Sequence, residues 1–186
     1  MVPFKLTICG IPELDQFSRE GVSHVLSILD PREPEPPAFY SFDPHHRLEL
    51  RFDDVIDEVA GYEAPQLHHV EQLLEFGESL DTDPQPTHLL VHCHMGVSRS
   101  SASMILLLAQ AKPELPAEEI ALEVQRVRPI AWPNLRMITF GDEILGRNGE
   151  LIEAARGIYR RRAAQDPQTL NFIRAAGRLA EVEGLG

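Results

Sequence analysis

The chain has little cysteine: Cys9 and Cys93 are the only two in 186 residues. Two thiols cannot build the disulfide framework of a small secreted domain, and they fit a reducing compartment better. Basic residues are scarce as well, 17 Lys and Arg against 29 Asp and Glu, for a formal net charge of −12. That balance argues against broad electrostatic binding to nucleic acid or to an anionic membrane, while leaving room for a local basic pocket. Long hydrophobic runs are missing. The strongest, Met104 to Ala111, is far too short to span a bilayer. The opening MVPFKLTICGIPELDQ lacks the basic stretch and long apolar core of a secretory leader. There is no internal repeat, heptad array, Cys-x-x-Cys or His-Glu-x-x-His. Without GxxxxGKS/T or G-x-G-x-x-G, nucleotide hydrolysis and dinucleotide binding have no motif behind them. What is present is a globular balance, 43 % apolar and 25 % charged, in a length suited to one domain with a sizeable core. A cytoplasmic protein with neither nucleic-acid nor membrane partners is expected; no motif speaks to its oligomeric state.

Charge is unevenly spread. Residues 1–146 carry a net −14 and residues 147–186 a net +2, so a C-terminal extension differs in character from the rest and is expected to pack on the same domain as helices. Its Arg160-Arg161-Arg162 run reads as a solvated face. Pro31-Arg-Glu-Pro-Glu-Pro-Pro37 and the following Ala-Phe-Tyr-Ser-Phe-Asp-Pro44 are predicted to form a loop, because proline fixes φ and lacks a donor. Its Tyr40 and Phe42 either cap a cleft or pin the loop down.

Short apolar or alternating stretches predict strands at Phe4 to Cys9, Val22 to Leu29 and His46 to Phe52. Thr87 to His92 reads as a strand buried on both faces. Pro12 to Arg19 predicts a short helix, with proline in its first turn. Further helices are predicted at Pro65 to Leu80, which Asp81 to Pro86 breaks, at Arg99 to Ala111, Pro116 to Val127, Pro133 to Leu145, Leu151 to Ala164 and Thr169 to Val182. Strands alternate with helices early and helices dominate late. This order favours an α/β sandwich with a central, mainly parallel sheet flanked by helices.

The stretch that carries chemistry is Val91-His92-Cys93-His94-Met95-Gly96-Val97-Ser98-Arg99-Ser100, between the most buried strand and a helix. A loop closing onto a helix N-terminus aims backbone N–H groups at one point, and the helix dipole adds partial positive charge there. Gly96 permits a tight bend, and Arg99 offers a planar fork for two phosphate oxygens. His94, Met95, Gly96, Val97, Ser98 and Arg99 are therefore the expected phosphate-binding set. A free thiol titrates near ~8.5, and electropositive settings lower that to roughly 3.5–7.5. The features that bind a dianion thus also make Cys93 a nucleophile for in-line attack on phosphorus. Ser100 is placed to donate to the departing thiolate when water cleaves the intermediate. His92 is expected to hold the loop. The ordinary alternative, a buried structural thiol, leaves Arg99 unexplained, since arginine is rarely buried unless paired.

His-Cys-x5-Arg-Ser resembles the signature of the cysteine-based protein tyrosine phosphatases, and the Ser-Arg-Ser ending is most similar to their dual-specificity branch. Leu48-Glu-Leu-Arg-Phe-Asp-Asp54 resembles the strand and loop that deliver that family's general acid. Arg128-Pro-Ile-Ala-Trp-Pro-Asn134 resembles its later Arg-Pro…Pro-Asn segment near the phosphate loop, which makes Asn134 a supporting residue. The last forty residues match no family pattern. The resemblance implies a phosphotyrosine protein phosphatase II-type fold. It also implies hydrolysis of phosphate monoesters, on protein phosphotyrosine and also phosphoserine or phosphothreonine, through a cysteinyl-phosphate, with neither metal nor cofactor.

In that family the acid is an Asp upstream of the Cys, and Asp43, Asp53, Asp54 and Asp57 are available. Inward Leu50 and Phe52 align Asp54 with the acid, with Asp53 as the alternative. Other readings are a phosphatase of a small-molecule or phosphoinositide phosphate and a non-catalytic phosphate-binding module. Lipid-directed loops often carry Lys between Cys and Arg; here none occurs. His92-x-His94 invites a metal, but His94 falls in the loop. His45 and His46 form a further pair, and His68 and His69 are expected on a helix surface. Cys9 is a structural thiol or a redox partner of Cys93.

Overall fold

A computed structural model of the chain describes residues 2, 4–82 and 88–185. Four strands, β1 (Lys5–Gly10), β2 (His24–Leu29), β3 (His46–Arg51) and β4 (His88–Cys93), form one parallel sheet in the order β1-β4-β2-β3. The two central strands are buried at every position, which is why β4 reads as a continuous apolar run, while β2 buries His24 and Ser27 along with its apolar residues. β3 lies at an edge and is half-exposed. Thr87, the predicted start of the fourth strand, lies outside the described residues, as do positions 83–86 of the predicted break.

The helices are α1 (Leu67–Thr82), α2 (Arg99–Ala111), α3 (Ala117–Val127), α4 (Leu135–Ile144), α5 (Glu150–Gln165) and α6 (Gln168–Ala175). Side chains satisfy the first amides of two of them. Asn134 Oδ1 accepts from Met137 N to open α4, and the Asp142 carboxylate accepts from Gly149 N and Leu151 N to open α5. Two predicted helices are corrected. Ile11–Phe17 is a 3-10 helix, because proline and early acids mark the start of either helix type. The predicted Thr169–Val182 helix ends early; the chain turns at residues 176–178 and resumes as a 3-10 turn, Leu179–Glu181.

The two faces of the sheet are covered unequally. Ile8, Leu26, Ile28, Leu50, Leu89, Val91 and Cys93 share one core with the helices, and that core includes Leu151, Ile158, Tyr159, Leu170 and Val182 from residues 147–186. Trp132 and Tyr159 stack at 4.5 Å in its middle, which adds about 0.5–1.5 kcal/mol to the area they bury. On the other face Cys9, Val25 and Leu90 pack with Leu14, Phe39 and Phe42, from the 3-10 segments and the proline-rich loop. Phe42 therefore pins that loop, while Tyr40 points outward at 85 % exposure.

The register also separates the cysteines. Cys9 pairs with His92, and Gly10 with Cys93. Since side chains alternate along a strand, Cys9 and Cys93 leave the sheet by opposite faces and enter different cores. A disulfide needs Cβ atoms about 3.8 Å apart and facing each other, so this arrangement does not support redox pairing. Burial and Glu13 push the Cys9 thiol up to about 12, which fits an inert structural role.

Because all four strands run the same way, their C-terminal ends bring Gly10, Asp30, Asp54 and Cys93 to one edge. Open parallel sheets place their ligands at that edge. Among the described residues, no helix is long and apolar enough to cross a membrane.

Candidate active site

Residues 94–98 turn the chain from β4 into α2, and contact with β1 forces their shape. Gly96 has φ +66°, and a Cβ there would lie 2.4 Å from the Cys9 carbonyl carbon. A Cβ on Gly10 would lie 2.7 Å from the His94 oxygen. Loop and strand therefore touch backbone to backbone, with Ile11 N donating to His94 O at 2.9 Å. Arg128 braces the loop. Its Nε donates to Gly96 O at 3.0 Å and its Nη2 to Met95 O at 2.9 Å. The same guanidinium grips Glu13 with two 2.8 Å bonds, and Glu13 accepts Gly10 N at 2.7 Å. The Arg128 hydrogen bond holds the Glu13 carboxyl below its ordinary range. Gly96→Ala is expected to lower phosphate-ester turnover at least ~100-fold, because the loop amides must shift. It should also destabilise the fold by about 1–3 kcal/mol. Steady-state kinetics and urea unfolding on one preparation check both.

Ser98 occupies the N-cap of α2 without capping it. Its Oγ donates instead to Asp54 Oδ1 at 2.7 Å, so no side chain competes for the first amides of the helix. Cys93 is 2 % exposed, with Sγ 3.2 Å from Ser100 Oγ. Arg99 is buried. Its Nη1 donates to Asp30 Oδ1 and to Phe52 O, both at 2.6 Å, while its Nε is buried without an acceptor. The guanidinium is thus anchored through one nitrogen and keeps a donor for a further oxygen.

The remaining loop residues have separate tasks. His94 Nε2 accepts from Asp30 N at 3.2 Å. Met95 is exposed at the mouth. Val97 O accepts from Trp132 N at 2.9 Å, and Ser98 O from Asn134 N at 3.4 Å. These two bonds tie the 128–134 segment to the loop. His92 is fully buried, with Nδ1 3.4 Å from Cys93 O and its ring 5.4 Å from Phe39. Burial pushes its pKa down to about 4, so it stays neutral and serves as packing.

The two adjacent aspartates part company. Asp53 turns outward: its Oδ2 accepts from Glu63 N at 2.7 Å, and it lines a cleft of about 310 Å³ with Asp30, Arg32, Glu33, Tyr62 and Glu63. Asp54 turns onto the 94–98 loop. Its Oδ1 takes Ser98 Oγ at 2.7 Å and Asn134 Nδ2 at 2.9 Å, with Arg178 Nη1 at 3.2 Å. Burial raises its carboxyl pKa; the guanidiniums of Arg178 and Arg99 and the Asn134 and Ser98 donors outweigh this, and the net value lies below the ordinary range. Asp43 and Asp57 are exposed in loops. His68 is exposed as expected, while His69 is half-buried. It stacks on Phe52 at 4.7 Å, and burial lowers it to about 4.

Four contributors escaped the sequence reading. Asp30 had a signal, an Asp-Pro ending a parallel strand at the ligand-binding edge. Glu13, Arg178 and Glu181 had none, because their partners lie far away in sequence. Glu181 is buried, taking Trp132 Nε1 at 2.7 Å, Leu135 N at 2.9 Å and Arg178 Nη2 at 2.7 Å.

This architecture is that of the dual-specificity protein phosphatases. The structure of DUSP15 superposes with a TM-score of 0.58 at 20 % identity, covering 87 % of this chain and 94 % of that one. Human DUSP28 gives 0.57 at 19 %, covering 77 % and 92 %, and the active form of Tk-PTP gives 0.55 at 18 %, covering 79 % and 95 %. In sequence, the chain is similar to the human protein phosphatase Slingshot homolog 3, 31 % identical over 121 residues, which is 65 % of this chain. The mouse counterpart is also 31 % identical, over 124 residues. This chain spans 16 % of the length of the human protein. No family model matches it.

Proposed function

We propose that the protein is a phosphoric monoester hydrolase acting on phosphorylated protein, phosphotyrosine foremost, through a cysteinyl-phosphate. The observation that carries this reading is one cradle holding Cys93, the unspent amides of α2, and Arg99 with a buried unpaired donor. The likeness in sequence to Slingshot homolog 3 supports it.

The Cys93 thiolate attacks phosphorus in line with the ester oxygen. The S–P bond forms as the P–O bond breaks, and the loop amides with Arg99 hold the equatorial oxygens where charge collects. Asp54, protonated for this step, gives its proton to the leaving oxygen. As a carboxylate it then takes a proton from the water that attacks the intermediate. The S–P bond breaks, phosphate leaves, and the Ser100 hydroxyl donates to the restored thiolate. A carboxyl whose pKa is held below the ordinary range by Arg178 and Arg99 suits a leaving group that needs little help, a phenol over an alkyl alcohol. The neighbouring cleft, with four carboxylates and one arginine, disfavours a polyanionic headgroup and so favours a single phosphate on a peptide. Two free, buried cysteines fit action in the cytoplasm.

The test compares phosphotyrosine and phosphoserine peptides in the presence of a chelator. Turnover is expected on the first and slower turnover on the second. Asp54→Asn should lower kcat on the phosphotyrosine peptide about 100-fold or more, but far less on 4-nitrophenyl phosphate, whose leaving group departs unaided. Equal losses on both substrates, or no loss, would overturn the assignment of Asp54. Absence of any phosphate release would overturn the function.

A further inference from the structure

Asp54 is gripped by three separate pieces of the chain, and all three grips fall on one oxygen. Ser98 comes from the phosphate loop, Asn134 from the start of α4, and Arg178 from the segment after α6. Oδ2 takes no hydrogen bond from any described residue, and the Asp54 side chain is 31 % exposed. The third grip is the unexpected one. Arg178 lies in the extension that resembles no family pattern, yet its side chain is only 5 % exposed. Its fork spans two acids, Nη1 on Asp54 and Nη2 on Glu181. Glu181 in turn is fixed by the indole of Trp132 and the amide of Leu135, on either side of Asn134. The extension therefore reaches the reacting end of the site through a continuous set of charge-assisted bonds.

We infer that Arg178 is a positioning residue for Asp54: it locks Oδ1 against the phosphate loop and leaves Oδ2 as the one oxygen free to exchange a proton with the substrate. This inference rests on the proposed role of Asp54 as general acid. The groups facing Asp54 are Arg178 and Glu181 from the C-terminal segment, Arg99 and Ser98 at the start of α2, Asn134 at the start of α4, and Tyr159 from α5. Burial holds the Tyr159 hydroxyl well above its ordinary value, so it adds no charge near neutrality. Arg178 and Arg99 are then the two cations acting on Asp54, and Arg99 is shared with Asp30. A fixed cation beside a carboxyl lowers its pKa by roughly 1–3 units. The sign follows: a general acid works while protonated, so its contribution fades as pH rises through its pKa, and Arg178 keeps that descending limb at acidic pH.

The experiment measures kcat against pH on phenyl phosphate, whose leaving group needs a proton, and on 4-nitrophenyl phosphate, which does not. In Arg178→Met the descending limb on phenyl phosphate is expected to move up by about one pH unit, with little movement on 4-nitrophenyl phosphate. Arg178→Lys keeps a charge but not the fork. It should hold the limb near its original position while lowering kcat severalfold. Should Arg178→Met fail to fold, Arg178→Met combined with Glu181→Gln removes the stranded buried acid and gives the same readout. In the unaltered protein, a carbon-13 titration of the Asp54 carboxyl should fall below the ordinary value of ~3.9. A value at or above this, or an unmoved limb in a folded variant, would overturn the inference and leave Arg178 a structural ion pair. If Asp54→Asn itself keeps the limb, the parent assignment of Asp54 fails instead.

Discussion

Cys93→Ser should abolish turnover of every phosphate ester while leaving anion binding largely intact. Sulfur and oxygen differ little in size, so the buried position tolerates the change and unfolding free energy should move by no more than about 1 kcal/mol. Chemistry is where they part. A serine hydroxyl stays protonated where a thiol in the same electropositive setting ionises, and His92, its neighbour in sequence, is directed to the opposite face of the sheet and cannot take that proton. The loop amides and Arg99 are untouched, so inorganic phosphate, which is held by them and not by a bond to sulfur, should still bind. The expected pairing is a fall in kcat beyond ~1,000-fold, with a dissociation constant for inorganic phosphate within about tenfold of the original. Single-turnover kinetics and calorimetric titration read the two quantities. Retained turnover would exclude the covalent mechanism.

Arg99→Lys, conservative in charge, should be nearly as damaging. Nη1 alone supplies Asp30 Oδ1 and Phe52 O. A lysine ammonium is a single point of charge and cannot both fill those contacts and present a second nitrogen to phosphate. If it holds Asp30, the anion loses its clamp; if it reaches for the anion, a carbonyl and a carboxylate lose their donor. A kcat loss of about 100- to 10,000-fold is expected, with a loss of about 1–3 kcal/mol in stability from the stranded acceptors. Chemical denaturation and kinetics measured side by side distinguish the two settlements. Unchanged phosphate affinity together with unchanged kcat would show that Arg99 serves only to hold Asp30.

Much of this site was legible because its parts are consecutive. A continuous apolar strand, a glycine-bearing turn and a helix start at Arg99 appear as such in the sequence, whereas for the acid the resemblance favoured Asp54 and left Asp53 as the alternative. Contacts made between distant segments were not legible. Nothing around Glu13 announces that it will grip Arg128, and the single glycine between α6 and the last 3-10 turn does not say that Arg178 will turn inward. His69 shows the same effect in part: its helical position suits the surface, and it keeps partial exposure, but Phe52 from the neighbouring loop stacks on its ring. The 3-10 winding of Ile11–Phe17 is equally hidden, since its amino acids suit an α-helix just as well.

The backbone contact between β1 and the turn after β4 has a consequence for speed. With Gly96 against Cys9, Gly10 against His94, and Arg128 tying Met95 and Gly96 to Glu13, the turn that cradles the anion is braced by the rest of the fold without help from a ligand. Little of the interaction free energy should then go into ordering that turn, and the temperature dependence of association should be shallow.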